Sequence, residues 1–335
     1  MKKLNIAVLG ATGAVGQEML KVLAEYDLSI NRILPLGSAR SAGKKIFFKG
    51  EEVEIQEATD ESFKGMDFVL GAVEGDMSKR FAPAIKASGA VYIDNSSAFR
   101  LDPDVPLVVP EVNGADAFNN KGIIANPNCC TIIALMAVAG IEKLSRIEKM
   151  VVCTYQAVSG AGQAGIAELE SQMKALASGK QPEVKTFATQ IALNVIPFID
   201  APYGNDYSKE EMKMQNEGRK ILHDPDLKVN CTCVRVPVMR SHSISVTLRT
   251  EKKLDIESAK NAVAAFPGCR LIDDYKGRCY PTPLDTTDQD LVWVGRIRQD
   301  LTDENGITLW CCGDQIRKGA ASNAVQILKL LAEKE

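Results

Sequence analysis

Histidine is nearly missing from this chain: His223 and His242 are the only two in 335 residues. No Cys-x-x-Cys pair is present either, so the usual zinc ligand sets are hard to assemble, and no metal centre is expected. A surplus of positive charge is also lacking. Lys and Arg number 40 against 43 Asp and Glu, for a formal net charge of −3, and no extended basic stripe could neutralise a phosphate backbone. Nucleic acid is therefore not expected as a partner. Long apolar runs are scarce as well. The longest, from Thr131 to Ile141, falls far short of the ~20 residues that span a bilayer, and no membrane partner is expected. Met1-Lys2-Lys3 has the charge of a secretory leader, but a run of strand length and a glycine-rich turn follow it. A leader would continue into a long apolar core and a small-residue cleavage site, so a cytoplasmic location is expected. The nine cysteines are odd in number and include the adjacent pairs Cys129-Cys130 and Cys311-Cys312, which argues against a disulfide framework. They read as reduced thiols.

What is present fits about two domains at roughly 150 residues each. Up to residue 128, short apolar runs alternate with helical segments. Leu4 to Leu9 is followed by a helix from Ala14 to Glu25 and a strand from Asn31 to Leu36. Further runs lie at Asp67–Val73, Ala90–Ile93, Leu107–Val109 and Gly122–Ala125. This is the βαβ pattern, and parallel strands with helical crossovers satisfy it. From about Met150 the strands lengthen and alternate in polarity, which suggests an antiparallel sheet with one covered face. Helices near Ile166–Ala177 and Ser208–Leu222 interrupt them. The acidic cluster Glu51, Glu52 and Glu54 reads as a solvated turn. The predicted fold class is α/β: a Rossmann-like, mostly parallel sheet domain over 1–128, then an α+β domain over 129–313 with a largely antiparallel sheet. The C-terminal segment 314–335 is expected to pack back on the first domain.

Gly10-Ala-Thr-Gly13-Ala-Val-Gly16 falls between the first strand and the first helix, where helix amides and the macrodipole attract a pyrophosphate. The spacing is GxxGxxG instead of the dinucleotide fingerprint GxGxxG, so a plain tight turn is the competing reading. Gly10, Thr12, Gly13, Ala14, Val15 and Gly16 are the candidate cofactor contacts, with Thr12 adding a hydroxyl. The end of the second strand decides between the two cofactors. NAD enzymes place an acid there for the ribose 2′-hydroxyl, whereas this chain reads Leu36-Gly-Ser38-Ala-Arg40-Ser41-Ala-Gly-Lys44. Hydroxyls and cations suit a 2′-phosphate, so the expected cofactor is NADP, through Ser38, Arg40 and Ser41.

Asn126-Pro-Asn128-Cys129-Cys130-Thr131 follows a strand and opens a helix. A thiol in a first turn has a lowered pKa, and a drop from ~8.5 to ~7 raises the thiolate from a few per cent to about half at neutral pH. Cys130 projects about 100° away around the helix axis, so the two thiols have different roles. For Cys153, Cys231, Cys233, Cys269, Cys279, Cys311 and Cys312 a buried structural role is the expectation. The Asn/Cys motif, with others in matching order and spacing along nearly the whole chain, resembles the aspartate-β-semialdehyde dehydrogenases, in which the Cys is the nucleophile. Cys130 stands where that family usually has Ser; Cys129 is assigned because it follows Asn128.

That resemblance implies roles for further residues. Thr154-Tyr-Gln156 and the turn Ala157-Val-Ser159-Gly160-Ala-Gly are similar to the family's active-site Gln and nicotinamide-side loop. The separation of Arg235 and His242 is that of its substrate Arg and acid/base His. An Arg fork suits an α-carboxylate, and a His can take the thiol proton and return one to the thiohemiacetal oxygen. Ser96-Ser-Ala-Phe-Arg100, Asn128 and Lys209-Glu210-Glu-Met-Lys213 resemble the anion site, with Arg100 and Lys213 on phosphate and Glu210 on the substrate ammonium. By pattern alone Glu210 and Lys213 are an ordinary i,i+3 ion pair, and His242 could equally be a core residue. Gln315, where Asn is usual, and Asn323 fall in a segment similar to the cofactor side, with Asn323 on the nicotinamide amide. Glu74-Gly75-Asp76 departs from the family's Gly/Ser-rich turn.

The implied reaction is the reversible NADP- and phosphate-dependent interconversion of L-aspartate 4-semialdehyde and L-4-aspartyl phosphate through a Cys129 thioester. The implied setting is lysine, methionine and threonine biosynthesis, by a homodimer or tetramer built through the catalytic and dimerisation domain 129–313. Two other readings compete. An N-acetyl-γ-glutamyl-phosphate reductase would share the thiol and His but need no carboxylate for its blocked amine. A nucleotide-binding thiol redox sensor would use Cys129-Cys130 without turnover.

Overall fold

The computed structural model describes residues 3–334; Met1 and Lys2, which open the charged N-terminal segment, and Glu335, the last residue of the 314–335 segment, lie outside it. Two compact units are formed, one of residues 3–128 with 320–334, the other of 129–319.

In the first unit β1 (Leu4–Leu9) leads into α1 (Ala14–Glu25) and β2 (Ile30–Gly37). The hairpin β3 (Lys45–Phe48) and β4 (Glu51–Glu54) follows, then β5 (Gln56–Glu57), β6 (Phe68–Gly71), α2 (Gly75–Ala87), β7 (Val91–Asp94), α3 (Pro110–Asn113) and β8 (Ile123–Ala125). The main sheet has the order β5-β2-β1-β6-β7-β8, and each of its pairings is parallel. Strands buried on both faces demand continuous apolar runs, which is why Ile6, Val8 and Leu70 serve one core while Ala7, Leu9 and Val69 serve the other. The C-terminal helix Ser322–Ala332 packs Ala324, Val325, Ile327 and Leu328 into the first of these cores, with Met19 and Leu23 of α1.

Two expectations fail here. Glu51, Glu52 and Glu54 do not form a turn: they make β4, antiparallel to β3, with Glu52 paired to Lys45. The turn is Lys49-Gly50, both at positive φ, the geometry of a two-residue type I′ hairpin; Lys at its first position hid the signal. The run Leu107–Val109 is no strand, and only Leu107 bridges to Ala125.

The second unit opens with α4 (Cys129–Glu142), then β9 (Ile147–Gln156), α5 (Gly162–Ala177), α6 (Lys209–Ile221), β10 (Lys228–Arg235), β11 (His242–Thr250) and α7 (Ile256–Ala265). It ends with β12 (Cys269–Leu271), α8 (Pro283–Thr286), β13 (Val292–Gln299) and β14 (Gly306–Gly313). Cys130 to Ile141 are all buried, as an all-round apolar helix requires; this is the run too short to span a bilayer. Among the described residues no helix is long and apolar enough to cross a membrane. The sheet order is β10-β9-β11-β14-β13-β12. Its central pairs are antiparallel, but β10 pairs with β9, and β12 with β13, in parallel. The first parallel pair is possible because α5 and α6 supply the long crossover. Residues 314–319, placed above with the C-terminal return, stay with this unit. The buried Asp314 carboxylate accepts from the amides of Asp288, Ile316 and Arg317 and pairs with Arg240, all within residues 129–319.

Candidate active site

In the first unit the glycine-rich turn shows what each glycine is for. Gly10 sits at φ +87°, and a Cβ there would lie 2.4 Å from the Ala72 carbonyl oxygen; one at Gly16 would lie 2.2 Å from the Gly10 oxygen. Those two close the turn against β6 and seat α1. A Cβ at Gly13 would meet nothing nearer than 3.5 Å, so Gly13 leaves bare backbone facing open space. Helix α1 has neither a capping side chain nor an acid in its first turn, and the leading amides at Ala14 and Val15 have no intrahelical acceptor. Thr12 is exposed beside them. Ser38 and Arg40 are exposed and Ser41 half-buried in a turn closed by the Ser41 N–H on the Ser38 carbonyl at 2.8 Å. A cradle a side chain would fill, next to a positive helix end, fits a dinucleotide pyrophosphate.

Asn126 ties together the end of the first unit's sheet and its C-terminal helix. Its amide nitrogen donates to Asn95 Oδ1 at 2.7 Å, and its oxygen accepts from Asn323 at 2.7 Å. The Asn323 amide also donates to the Val108 carbonyl at 2.9 Å, so both its protons are engaged inside the unit. The buried Arg100 gives Nε to the Asn126 carbonyl at 3.0 Å and Nη2 to that of Asn95 at 2.8 Å. Asn128 is buried at the end of this segment.

In the second unit Cys129 heads α4 and is half-buried, whereas Cys130 is buried. Sequence spacing separates their directions, yet the sulfurs of Cys129 and Cys130 and a ring nitrogen of His242 all lie within 4.8 Å of one another. The Cys130 thiol, by donating a hydrogen bond, and the adjacent His242 ring hold the Cys129 thiol well below its ordinary range, against the opposing effect of burial. Burial pushes the Cys130 thiol well above its own. One sulfur is thus primed and its neighbour stays protonated. Inactivation by iodoacetamide is expected to keep its rate down to a pH well below the ~8.5 inflection of a free thiol, tracking label on Cys129 and not label on the exposed Cys279; pH-dependent kinetics with peptide mapping checks this.

His242 opens β11 and is fully buried. Its Nδ1 accepts the backbone N–H of Ala157 at 3.1 Å. An imidazole ligated through Nε2 carries its proton on Nδ1, so the resting Cys129-Cys130-His242 cluster is not set up for a metal. Gln156, at the end of β9, accepts from Thr154 Oγ1 at 2.9 Å and donates to Glu210 Oε1 at 3.2 Å. Its amide nitrogen lies 3.5 Å from His242 Nε2.

Glu210 sits in the first turn of α6, which is capped reciprocally by Ser208 and Glu211. Its Oε2 pairs with Lys213 Nζ at 2.9 Å, and Lys213 reaches Asp200 at 2.9 Å as well. Burial works against the Lys213 charge, but Glu210 and Asp200 hold it above its usual value. Arg235, at the end of β10, donates from Nη1 to the Ala157 carbonyl at 2.7 Å. Burial lowers its pKa, opposed by Glu210; an Arg stays charged regardless. Gly160 makes the convergence possible: a Cβ there would fall 2.6 Å from Arg235 Nη1 and 3.4 Å from His242 Cε1. Gly160→Ala is expected to displace the guanidinium and lower kcat/KM roughly ten- to a hundredfold, the worth of a charge-assisted hydrogen bond of about 1.5–3 kcal/mol; steady-state kinetics measures it.

The loop beyond is tied down by Gln315, whose amide donates to Ser159 and whose oxygen accepts from the Ser241 N–H at 2.8 Å. The expected residues thus fall into two groups. Cys129, Gln156, Ser159, Gly160, Glu210, Lys213, Arg235, His242 and Gln315 belong to the second unit, whereas Arg100, Asn128, Asn323 and the turn residues belong to the first. Thr154, Ala157 and Gly319 fall in motifs the sequence singles out but carry no role there, and Asp200 was missed; an added Cβ at Gly319 would press on the Cys129 Cβ at 2.9 Å. Gly319 alone carried a signal, as a glycine in a helix-like run. His223 is exposed. Cys279 is exposed too, and Cys153 and Cys269 are only half-buried, because loop and sheet-face positions do not enter the cores.

A parallel nucleotide-type sheet together with a primed thiol, an imidazole and an amide defines an oxidoreductase of the semialdehyde dehydrogenase class. Residues 5–120 match the model of the semialdehyde dehydrogenase NAD binding domain, and residues 138–318 that of the semialdehyde dehydrogenase dimerisation domain. The chain is 47% identical over 331 residues to an aspartate-semialdehyde dehydrogenase of Synechocystis, covering 99% of this chain and 98% of that one. It is 46% identical over 336 residues to one of Bacillus subtilis, covering 98% and 97%. The crystal structure of aspartate semialdehyde dehydrogenase II from Vibrio cholerae, complexed with ASA, superposes with a TM-score of 0.97 at 43% identity, over 99% of both chains. The chain belongs to the aspartate-semialdehyde dehydrogenase family.

Proposed function

We propose that the protein interconverts L-aspartate 4-semialdehyde and L-4-aspartyl phosphate, with NADP and phosphate, through a thioester on Cys129. The observation that carries this reading is the lowered thiol at the head of α4, with His242 within 4.8 Å and Gln156 beside that ring. When bound at the turn Gly10–Gly16, the cofactor supplies or accepts a hydride. The chain's own residues do the rest. The Cys129 thiolate forms a bond to the acyl carbon as the bond to phosphate breaks, and phosphate leaves with the electron pair. Arg235 holds the substrate carboxylate, Glu210 its ammonium and Lys213 the phosphate; Arg100 and Asn128, in the other unit, are proposed as phosphate ligands on the family resemblance alone. His242, Gln156 and the first amides of α4 face the developing oxyanion. Asn323 and Gln315 act by positioning the segments around the cofactor, since their donors are engaged within the protein.

The choice of NADP rests on Ser38, Arg40 and Ser41, with no acid at the end of β2. Turnover more efficient with NADPH than with NADH is the expected result, and the reverse overturns it. The free amino acid is preferred over an N-acetylated one because Glu210 offers its ammonium a carboxylate. The domain roles follow: residues 1–128, with the C-terminal helix, bind cofactor, and the second unit carries catalysis and dimerisation. A homodimer is proposed through the sheet of the second unit, whose Val151 and Tyr155 side chains are exposed. The setting proposed is cytoplasmic lysine, methionine and threonine biosynthesis. Absorbance of the reduced nicotinamide with semialdehyde, NADP and phosphate, repeated with each omitted, tests the activity; signal that persists without phosphate counts against it.

A further inference from the structure

We infer that Phe187 is a positioning residue for substrate recognition: its ring caps one face of the Arg235 guanidinium and fixes the fork that takes the substrate carboxylate. The inference rests on the role proposed for Arg235. Among the described residues, 178–208, which join α5 to α6, form no helix or strand, only isolated bridges. Irregular connections longer than about 12–15 residues are uncommon in compact domains and usually functional. This one reaches two cations of the site. Ile196 exchanges backbone hydrogen bonds with Arg235 at 2.8 and 2.9 Å, and Asp200 pairs with Lys213.

A loop residue can position another only if it is itself held. Buried side chains of α5 hold this loop. Gln172 Oε1 accepts from the N–H groups of Ile191 at 2.9 Å and Ala192 at 3.0 Å, while its Nε2 donates to the Glu183 carbonyl at 2.9 Å and to Glu168 Oε1 at 3.0 Å. The Glu168 carboxylate in turn accepts from the Thr186 N–H, with the amides of Lys185 and Phe187 turned towards it as well. The Phe187 ring then packs on the cluster of Val158, Leu169, Ile191, Ala192 and Ile196. Gly165 lets it come so close: a Cβ there would fall 2.3 Å from the Val158 carbonyl oxygen and 3.2 Å from the ring's Cζ.

Arg235 Cζ lies over this ring, 5.9 Å from its centroid, inside the ~6 Å reach of a cation–π contact. The guanidinium is buried, and its Nη1 is spent on the Ala157 carbonyl. A carbonyl on one edge and a ring on one face set the plane of the fork before substrate arrives, so its remaining N–H groups keep one direction. Water is also kept off the covered face. Both effects serve the bound substrate and the transition state alike, so they lower KM and leave kcat alone.

Two variants separate the ring's charge distribution from its bulk. Phe187→Leu keeps the apolar packing and removes the ring, whereas pentafluorophenylalanine placed at position 187 alone keeps the ring and inverts its quadrupole. Both are expected to raise the KM for L-aspartate 4-semialdehyde about three- to tenfold, the scale of a cation–π contact, with kcat within about twofold and the KM for phosphate unchanged. A wild-type semialdehyde KM in either variant, or kcat and the phosphate KM moving together with it, overturns the proposal. Should Phe187→Leu not fold, the fluorinated protein decides alone. The parent reading fails by a different result, an Arg235→Lys variant whose semialdehyde KM is that of the wild type.

Discussion

Cys129→Ala is expected to lower kcat by about five orders of magnitude, the usual scale for removing a nucleophile from a covalent enzyme. The covalent route couples acyl transfer to redox chemistry on one carbon, and no other sulfur can take it over. Cys130 lies close enough but is buried and held as the neutral thiol. Mass spectrometry of enzyme quenched during turnover should find the acyl adduct on the Cys129 peptide of the wild type, and none in the variant. Cys130→Ala should behave differently. The adduct remains on Cys129, but the loss of the Cys130 donor raises the Cys129 pKa, so the acid limb of the alkylation profile moves to higher pH. If Cys130→Ala abolished the adduct and Cys129→Ala retained it, the assignment of roles would be reversed.

Arg235→Lys is expected to lower kcat/KM about a hundredfold while leaving Cys129 alkylation nearly unchanged. The guanidinium spends one donor on the Ala157 carbonyl at 2.7 Å, and its fixed fork leaves others for a carboxylate. An ammonium is a point charge on a flexible stem and cannot keep the carbonyl contact and present a bidentate face together. Both ends of Ala157 are then in play: its carbonyl holds Arg235, and its N–H reaches His242. Combined with Gly160→Ala, which displaces the same guanidinium, Arg235→Lys should be strongly non-additive. Strict additivity would show that the glycine acts elsewhere.

The first domain was legible because its periodicities agree: β1 and α1 have the bounds read from sequence, and the glycine turn lies between them. The thiol was legible because strand, Asn-Pro-Asn and apolar helix occur in order. Local pattern failed where long-range partners decide. Nothing in Lys49-Gly50 announces a type I′ turn as Asn-Gly would. Helix α7 escaped because its apolar residues are mostly alanines that mark no single face, and only Ala259 and Val263 are buried. The parallel β9–β10 pair depends on a crossover more than fifty residues long, which alternation within a strand cannot report. In the site, Glu210 and Lys213 looked like a solvated ion pair; only the fold reveals Asp200 and Gln156 as their other partners. Ala157 had no side-chain signal, since its contribution is its peptide group.

Glu211 lies beside the residue assigned to the substrate amine. One carboxylate oxygen accepts from the Ser208 N–H at 2.7 Å and the other from the Cys233 N–H at 3.1 Å, so this side chain rivets the start of α6 to β10. Scaffold and reader are therefore adjacent but separate letters of the sequence. An engineer retuning the enzyme towards aldehydes with altered amino groups would vary position 210 and leave position 211 alone, and would have to give Gln156 and Lys213 a replacement for the carboxylate they share.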